Sequence, residues 1–225
     1  HNFNSTIDLA ASGLPATATI IRASLYWTVI GVATPTVTFA GTPLTGTELG
    51  QTGTSCSRGN NFMYVGDVTQ RMVGNTVTLV LSSAQTAGQG ASLVITYADS
   101  ADARNNFVSI TDGAFRFGGN TTIANTLATG FTVGAGFDKA TAINLMANGQ
   151  PFADSIAFQN TSFGTGPTFS GPNGAMWDNR IEDISAVLSG GETTVTTTVT
   201  SPDSCLAWSM SAIVVEDVDD STIDP

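Results

Sequence analysis

The sequence predicts an all-β chain, an antiparallel β-sandwich or jelly roll with at most one or two short helices. Three observations carry this. Apolar residues alternate with polar ones at period two through most of the chain. Turn signals rich in Gly, Asn, Asp and Pro recur every dozen or so residues, with no rhythm of strand, helix and strand. Charged residues make up only 11% of the 225, while Thr (34), Ser (20), Asn (14) and Gly (24) supply the polarity; β-branched Thr sits more comfortably on a pleated surface than in a helix.

Taken in order, Phe3, Ile7, Leu9 and Ala11 share the odd positions of an opening strand, with Asn2, Asn4, Thr6 and Asp8 between them, before a break at Gly13-Leu14-Pro15. Ile21, Ala23, Leu25, Trp27 and Val29 form the apolar face of a half-buried strand. Val37 and Phe39 alternate with threonines and are turned by Ala40-Gly41-Thr42-Pro43, and Val77, Leu79 and Leu81 repeat the pattern after Gly74-Asn75. Leu93 to Tyr97 is apolar on both sides apart from Thr96, the signature of a central strand covered on both faces. Val195, Thr197 and Val199 alternate again, and Leu206 to Val215 is the last core strand. Residues 141–147 and 181–188 fit a strand or a short helix equally well. No internal repeat of fixed period is evident. The expected organisation is an N-terminal extension strand over 1–13, able to act as a donor strand, a single sandwich over 14–216, and an acidic tail over 217–225.

Composition excludes several function classes. Eighteen acidic against seven basic residues give a formal charge of −11, a field that repels nucleic-acid backbones and anionic lipid. No run of 18 apolar residues offers a membrane span. His1 is the only histidine, so a Ser/His/Asp triad would need the terminal residue as its base, with no ordering partner visible, and a copper site needing a second imidazole lacks it. Paired carboxylates for glycoside cleavage depend on three-dimensional separation, and with four glutamates, at 48, 182, 192 and 216, a polysaccharide-active enzyme ranks behind the other readings.

The chain begins at His1 without a charged or apolar leader, as a secreted protein does after signal-peptide removal. Cys56 and Cys205, far apart in a Thr/Ser/Asn-rich chain, suit one disulfide in an oxidising compartment. Asp217, Asp219 and Asp220 offer clustered hard oxygens for calcium, with Asp99 and Asp102 a weaker second place; no other cofactor is implied. Asn4, Asn120 and Asn160 stand in Asn-x-Ser/Thr sequons. Trp27, Trp177 and Trp208 belong either to the core or to a sugar-binding platform.

Ala23-Ser24-Leu25-Tyr26-Trp27, Val37-Thr38-Phe39-Ala40-Gly41-Thr42-Pro43, Gly66-Asp67-Val68-Thr69, Gly90 to Tyr97, Asp112-Gly113, Trp177-Asp178 and Asp203-Ser204-Cys205-Leu206-Ala207-Trp208 together resemble the β-sandwich domain of unknown function found in bacterial secreted and adhesin-like surface proteins. The resemblance spans roughly residues 15 to 215 and implies location and architecture, not an activity. The leading expectation is therefore a non-enzymatic, extracellular filament subunit. It would partner other copies of itself by β-strand addition, with Phe3, Ile7, Leu9 and Ala11 at the subunit interface. The alternative is a surface adhesin or carbohydrate-binding module whose partner is a glycan or receptor.

Overall fold

The computed structural model describes residues 3–9, 11–51, 59–72, 76–81, 87–102, 104–117, 123–149, 153–170, 176–201 and 206–216. It is all-β, as the alternation requires, built of antiparallel sheets packed face to face. The chain divides into two compact units, residues 1–103 and 104–225, where the sequence had suggested a single sandwich over 14–216. The physical reason is that the apolar residues gather into two separate cores, one around Leu25, Trp27, Phe39 and Tyr64 and one around Met146, Phe158, Phe169 and Trp208.

The first unit comprises β1 (Phe3–Asp8), β2 (Ala18–Ile30), β3 (Thr36–Phe39), β4 (Thr42–Thr45), β5 (Thr47–Gln51), β6 (Asn61–Asp67), β7 (Thr76–Leu81) and β8 (Ala87–Asp99). They form two four-stranded sheets, in the orders β1-β7-β3-β4 and β5-β6-β2-β8. The second unit comprises β9 (Phe107–Arg116), β10 (Ile123–Thr129), β11 (Lys139–Ala147), β12 (Asp154–Phe158), β13 (Thr161–Gly166), β14 (Trp177–Asp183), β15 (Thr194–Thr200) and β16 (Ala207–Glu216). Its sheets run β10-β15-β12-β13 and β14-β11-β16-β9. Numbered first to eighth, the strands of the second unit stand as 2-7-4-5 and 6-3-8-1, the circuit of an eight-stranded jelly roll.

The same circuit runs through the first unit. β1, β7, β3 and β4 take the places 2-7-4-5, and β6, β2 and β8 take 6-3-8, with β5 added outside β6. Local chemistry confirms the match. Asp67 Oδ1 accepts hydrogen bonds from the N–H of Thr69 (2.8 Å) and its hydroxyl (2.7 Å). Asp183 Oδ1 does the same for Ser185 (3.0 and 2.6 Å). Each hydroxyl oxygen in turn accepts from the third strand, Thr69 from Ala23 N–H and Ser185 from Ala140 N–H, both at 2.9 Å. The N–H groups of Val68 and Ile184, both fully buried, donate back to those same alanines. A single 3-10 turn follows in each case, Thr69–Arg71 and Ser185–Val187. The hairpins β3–β4 and β12–β13 also correspond. Each turns on two residues at positive φ, Ala40-Gly41 (50° and 75°) and Gln159-Asn160 (48° and 67°), as a primed hairpin turn requires. Each carries a fully buried Phe just before the turn, Phe39 and Phe158. The repeat that the sequence did not reveal is thus present, its matching residues 116 to 119 positions apart.

Three strand expectations change in detail. Register shifts between Ile20 and Arg22, so the parity of β2 flips there; Ile21 is 63% exposed while residues 23–30 are buried on both faces. Residues 141–147 are strand because β14 and β16 flank them on both sides. Residues 181–188 divide: strand to Asp183, then the 3-10 turn that the Asp183 carboxylate caps.

Candidate functional site

Beyond the added β5, the two units differ at the eighth strand. In the second unit β16 lies between β11 and β9. In the first, β8 pairs with β2 from Ala18↔Asp99 to Ile30↔Ala87, and among the described residues no strand takes the place that β9 holds beside β16. The sequence marked Leu93 to Tyr97 as a central strand. It is an edge strand, and its two-sided apolar character belongs to a position whose outer neighbour is missing.

Register gives the residue equivalences. Ala23 faces Ile95 as Ala140 faces Val215, so Ile95 corresponds to Val215 and Leu93 to Ile213. With β9 in place, Val215 and Ile213 are 0% and 2% exposed. Without it, Leu93 and Ile95 stay half-buried and Tyr97 is 42% exposed. Beside them lies a groove of about 230 Å³ lined by Ile7, Leu9, Leu14, Leu93, Ile95 and Tyr97. It occupies the side of the sandwich, between the second and eighth strands, that a first strand would cover. Edge strands are ordinarily shielded by charge, proline or brevity. β8 is 13 residues long, holds no proline, and carries no charge before Asp99.

The expected donor segment is an edge strand of its own unit. β1 pairs with β7 from Phe3↔Leu81 to Asp8↔Thr76, Leu9 is buried in the core and Ile7 packs against it. Ala11 is exposed, its N–H donating to Asp8 Oδ1 at 3.3 Å. Gly13, at φ +80° with open space around it, turns the chain towards β2.

None of the remaining candidates among the described residues lines this groove. Cys56, Cys205, Asp217, Asp219, Asp220 and Asn120 fall outside the described residues. Asn4 lies in β1 opposite Val80, and Asn160 is exposed in the β12–β13 turn. Asp99 Oδ1 accepts from Thr17 Oγ1 (2.5 Å) and Ala101 N–H (3.0 Å), closing a turn after β8. No group of three His, Cys, Asp or Glu side chains with metal-binding spacing occurs among the described residues. No helix in them is long and apolar enough to cross a membrane. All three tryptophans are buried. Trp27 stacks on Tyr64 with ring centroids 5.5 Å apart, and burial, then the Glu48 charge, pushes the Tyr64 phenol above its ordinary pKa. Trp177 and Trp208 donate to Asn179 Oδ1 and to the Met210 carbonyl.

The second unit has its own cleft, about 210 Å³, among Thr111, Phe115, Asn125, Thr126, Ser209 and Ser211. The Ser209 and Ser211 hydroxyls are buried there without hydrogen-bond partners among the described residues.

Comparison with known families, with curated proteins and with solved structures finds no match.

Proposed function

We propose that this chain is a non-enzymatic structural subunit of an extracellular filament that assembles by β-strand addition, the acceptor being the outer side of β8. One observation supports the reading above the others. The jelly-roll circuit is complete in the second unit and, among the described residues, lacks its first strand in the first, leaving a 13-residue edge with no charge before Asp99 beside an apolar groove. An extended segment from a neighbouring copy makes main-chain hydrogen bonds along such an edge, each worth about 0.5–1.5 kcal/mol net, and seats alternate side chains in the groove. Donor and acceptor are different surfaces, so the contact is head-to-tail and propagates into a fibre.

Negative-stain electron microscopy of native, undenatured protein tests the proposal. Regular filaments are expected from the wild type, and folded single particles from Ile95→Lys, which places a charge on the groove side of the edge. Wild-type protein that remains monodisperse and globular across a wide concentration range removes the filament reading.

The second reading, a carbohydrate-binding module, draws support from the cleft holding the Ser209 and Ser211 hydroxyls, which have no hydrogen-bond partner among the described residues, a hydroxyl-rich site with Phe115 and Asp112 in its wall. Burial of all three tryptophans counts against an exposed aromatic platform. Binding to a panel of neutral glycans that is lost in Ser211→Val would favour it; a blank panel would dismiss it.

A further inference from the structure

Resting on the strand-addition reading, we infer that the strand received by β8 is the β1 segment, Phe3 to Leu9, of a second copy of this chain, docked in the register that β9 adopts on β16. The second unit serves as the template. Its first strand begins Phe107-Val108-Ser109-Ile110-Thr111-Asp112, and β1 reads Phe3-Asn4-Ser5-Thr6-Ile7-Asp8. Phe, Ser and Asp recur at the same three positions, and Ile and Thr exchange places between them. By pairing, β1 occupies the second-strand place on β7; by sequence, it matches a first strand.

The template fixes the alignment. β9 pairs antiparallel with β16, Phe107 opposite Val215, Val108 opposite Val214 and Ser109 opposite Ile213. Carried across by the equivalences above, Phe3 stands opposite Ile95, Asn4 opposite Val94, Ser5 opposite Leu93 and Asp8 opposite Gly90. What the aromatic contributes is visible in the second unit, where the Phe107 ring packs against the core and stacks on Phe131 with centroids 4.4 Å apart. An equivalent ring is what the groove beside Ile95 and Tyr97 lacks. Charges do not oppose the pairing. Asp8 is the sole charged residue from 2 to 12 and Asp99 the sole one from 87 to 99, and this register sets them about nine residues apart.

A chain cannot fill its own vacancy this way. With Phe3 opposite Ile95, Leu9 lies level with Gln89, whereas β2 starts at Ala18 opposite Asp99. Ten residues of strand separate those levels, about 33 Å. The nine steps from Leu9 to Ala18 reach at most about 30–32 Å fully extended, and they must also reverse direction. The strand is therefore supplied in trans. It gives up the ladder on its own β7 for one of similar length on the neighbour's β8, with Gly13 as the pivot; a neighbour that has donated its own β1 keeps Leu14, Leu93, Ile95 and Tyr97 as the groove wall, its Ile7 and Leu9 having left with the strand.

Cross-linking decides the matter. Ser5→Cys and Leu93→Cys are prepared as separate full-length proteins, mixed under assembly conditions and oxidised, so that a disulfide joining the two sites is necessarily between copies. The expected result is a covalent heterodimer on non-reducing gels that is at least tenfold more abundant than with Val94→Cys, which presents its sulfur on the opposite face. Filaments without the Ser5–Leu93 cross-link would overturn this donor while leaving strand addition standing. Neither filaments nor cross-link would overturn the donor and the filament reading together. If Ser5→Cys also disturbs folding, Ile7→Cys with Ala91→Cys tests the same register one step along.

Discussion

The first and second units share a strand circuit, a capped turn and a hairpin; beyond the β5 that the first adds outside β6, they differ among the described residues in the strand that lies beside the eighth. That difference isolates what an eighth strand does with and without an outer neighbour. In the second unit Val215 and Ile213 are sealed between two ladders; in the first, Ile95 and Leu93 occupy equivalent places half-buried, next to a groove. The apolar sequence of β8 is thus that of a covered strand standing at an edge. A protein that left such an edge open with no use for it would carry an aggregation hazard.

The comparison breaks most readily at the eighth strand itself. Ile213→Lys buries an ammonium in the centre of a sheet and should cost about 4–5 kcal/mol. Leu93→Lys, at the equivalent edge position, should cost under about 1 kcal/mol, because the side chain can extend past the edge to water. Urea denaturation of both variants reads the difference, and equal losses would mean β8 is covered as β16 is. Next in size are the hairpin phenylalanines. Phe39→Ala and Phe158→Ala should each cost about 3–4 kcal/mol, and clearly unequal values would show that the two cores are not equivalent there.

Smaller effects sharpen the match at the turn. Thr69→Val and Ser185→Ala each remove the hydroxyl that accepts the third-strand N–H and should each cost about 1–2 kcal/mol. A polar mismatch gives the opposite sign. Asn144, fully buried, has neither side-chain amide atom hydrogen-bonded among the described residues, and its register counterpart in the first unit is Trp27, which faces Ala91 as Asn144 faces Ser211. Asn144→Leu should stabilise the protein by about 1 kcal/mol; destabilisation on thermal melting would point to a bound group satisfying the amide.

The smallest effect is acid sensitivity. Hydrogen bonds from Thr69 and from Ser185 hold the Asp67 and Asp183 carboxyls below their ordinary value of 3.8. A lowered folded-state pKa contributes stability that is fully present above the unfolded value and lost as pH falls through the folded one. Between neutral pH and about pH 4, each Asp→Asn variant should therefore show an unchanged slope of melting temperature against pH. Below that, the wild type should lose stability more steeply than Asp67→Asn or Asp183→Asn.

Much of the fold was legible because alternation is a local property. Residues 36–39, 195–199 and 206–215 declare themselves as strands by period alone, and the Ala40-Gly41 turn by its glycine. The candidate groove was legible only in halves. Phe3, Ile7 and Leu9 stand out as an amphipathic segment, but that β8 has no outer neighbour among the described residues depends on which strands pair across 57 to 81 residues, and a run apolar on both faces reads identically in the centre and at an edge. The duplication is not legible in the sequence because pairing conserves few identities: Asp67-Val68-Thr69 against Asp183-Ile184-Ser185 matches in chemistry more than in letters. Ile21 was misplaced because a bulge between residues 20 and 22 reverses the parity that alternation assumes.

The sequence by itself determined the all-β class, the strand periods, the turns and the acidic, low-charge surface, since each follows from the conformational and solvation preferences of residues close together in the chain. Only the tertiary structure decided that there are two cores instead of one, that residues 141–147 extend instead of coiling, and that one jelly roll closes while the other, among the described residues, leaves a strand's place unfilled. Those outcomes depend on which distant apolar faces bury one another, a competition settled by packing and ladder pairing over the whole chain.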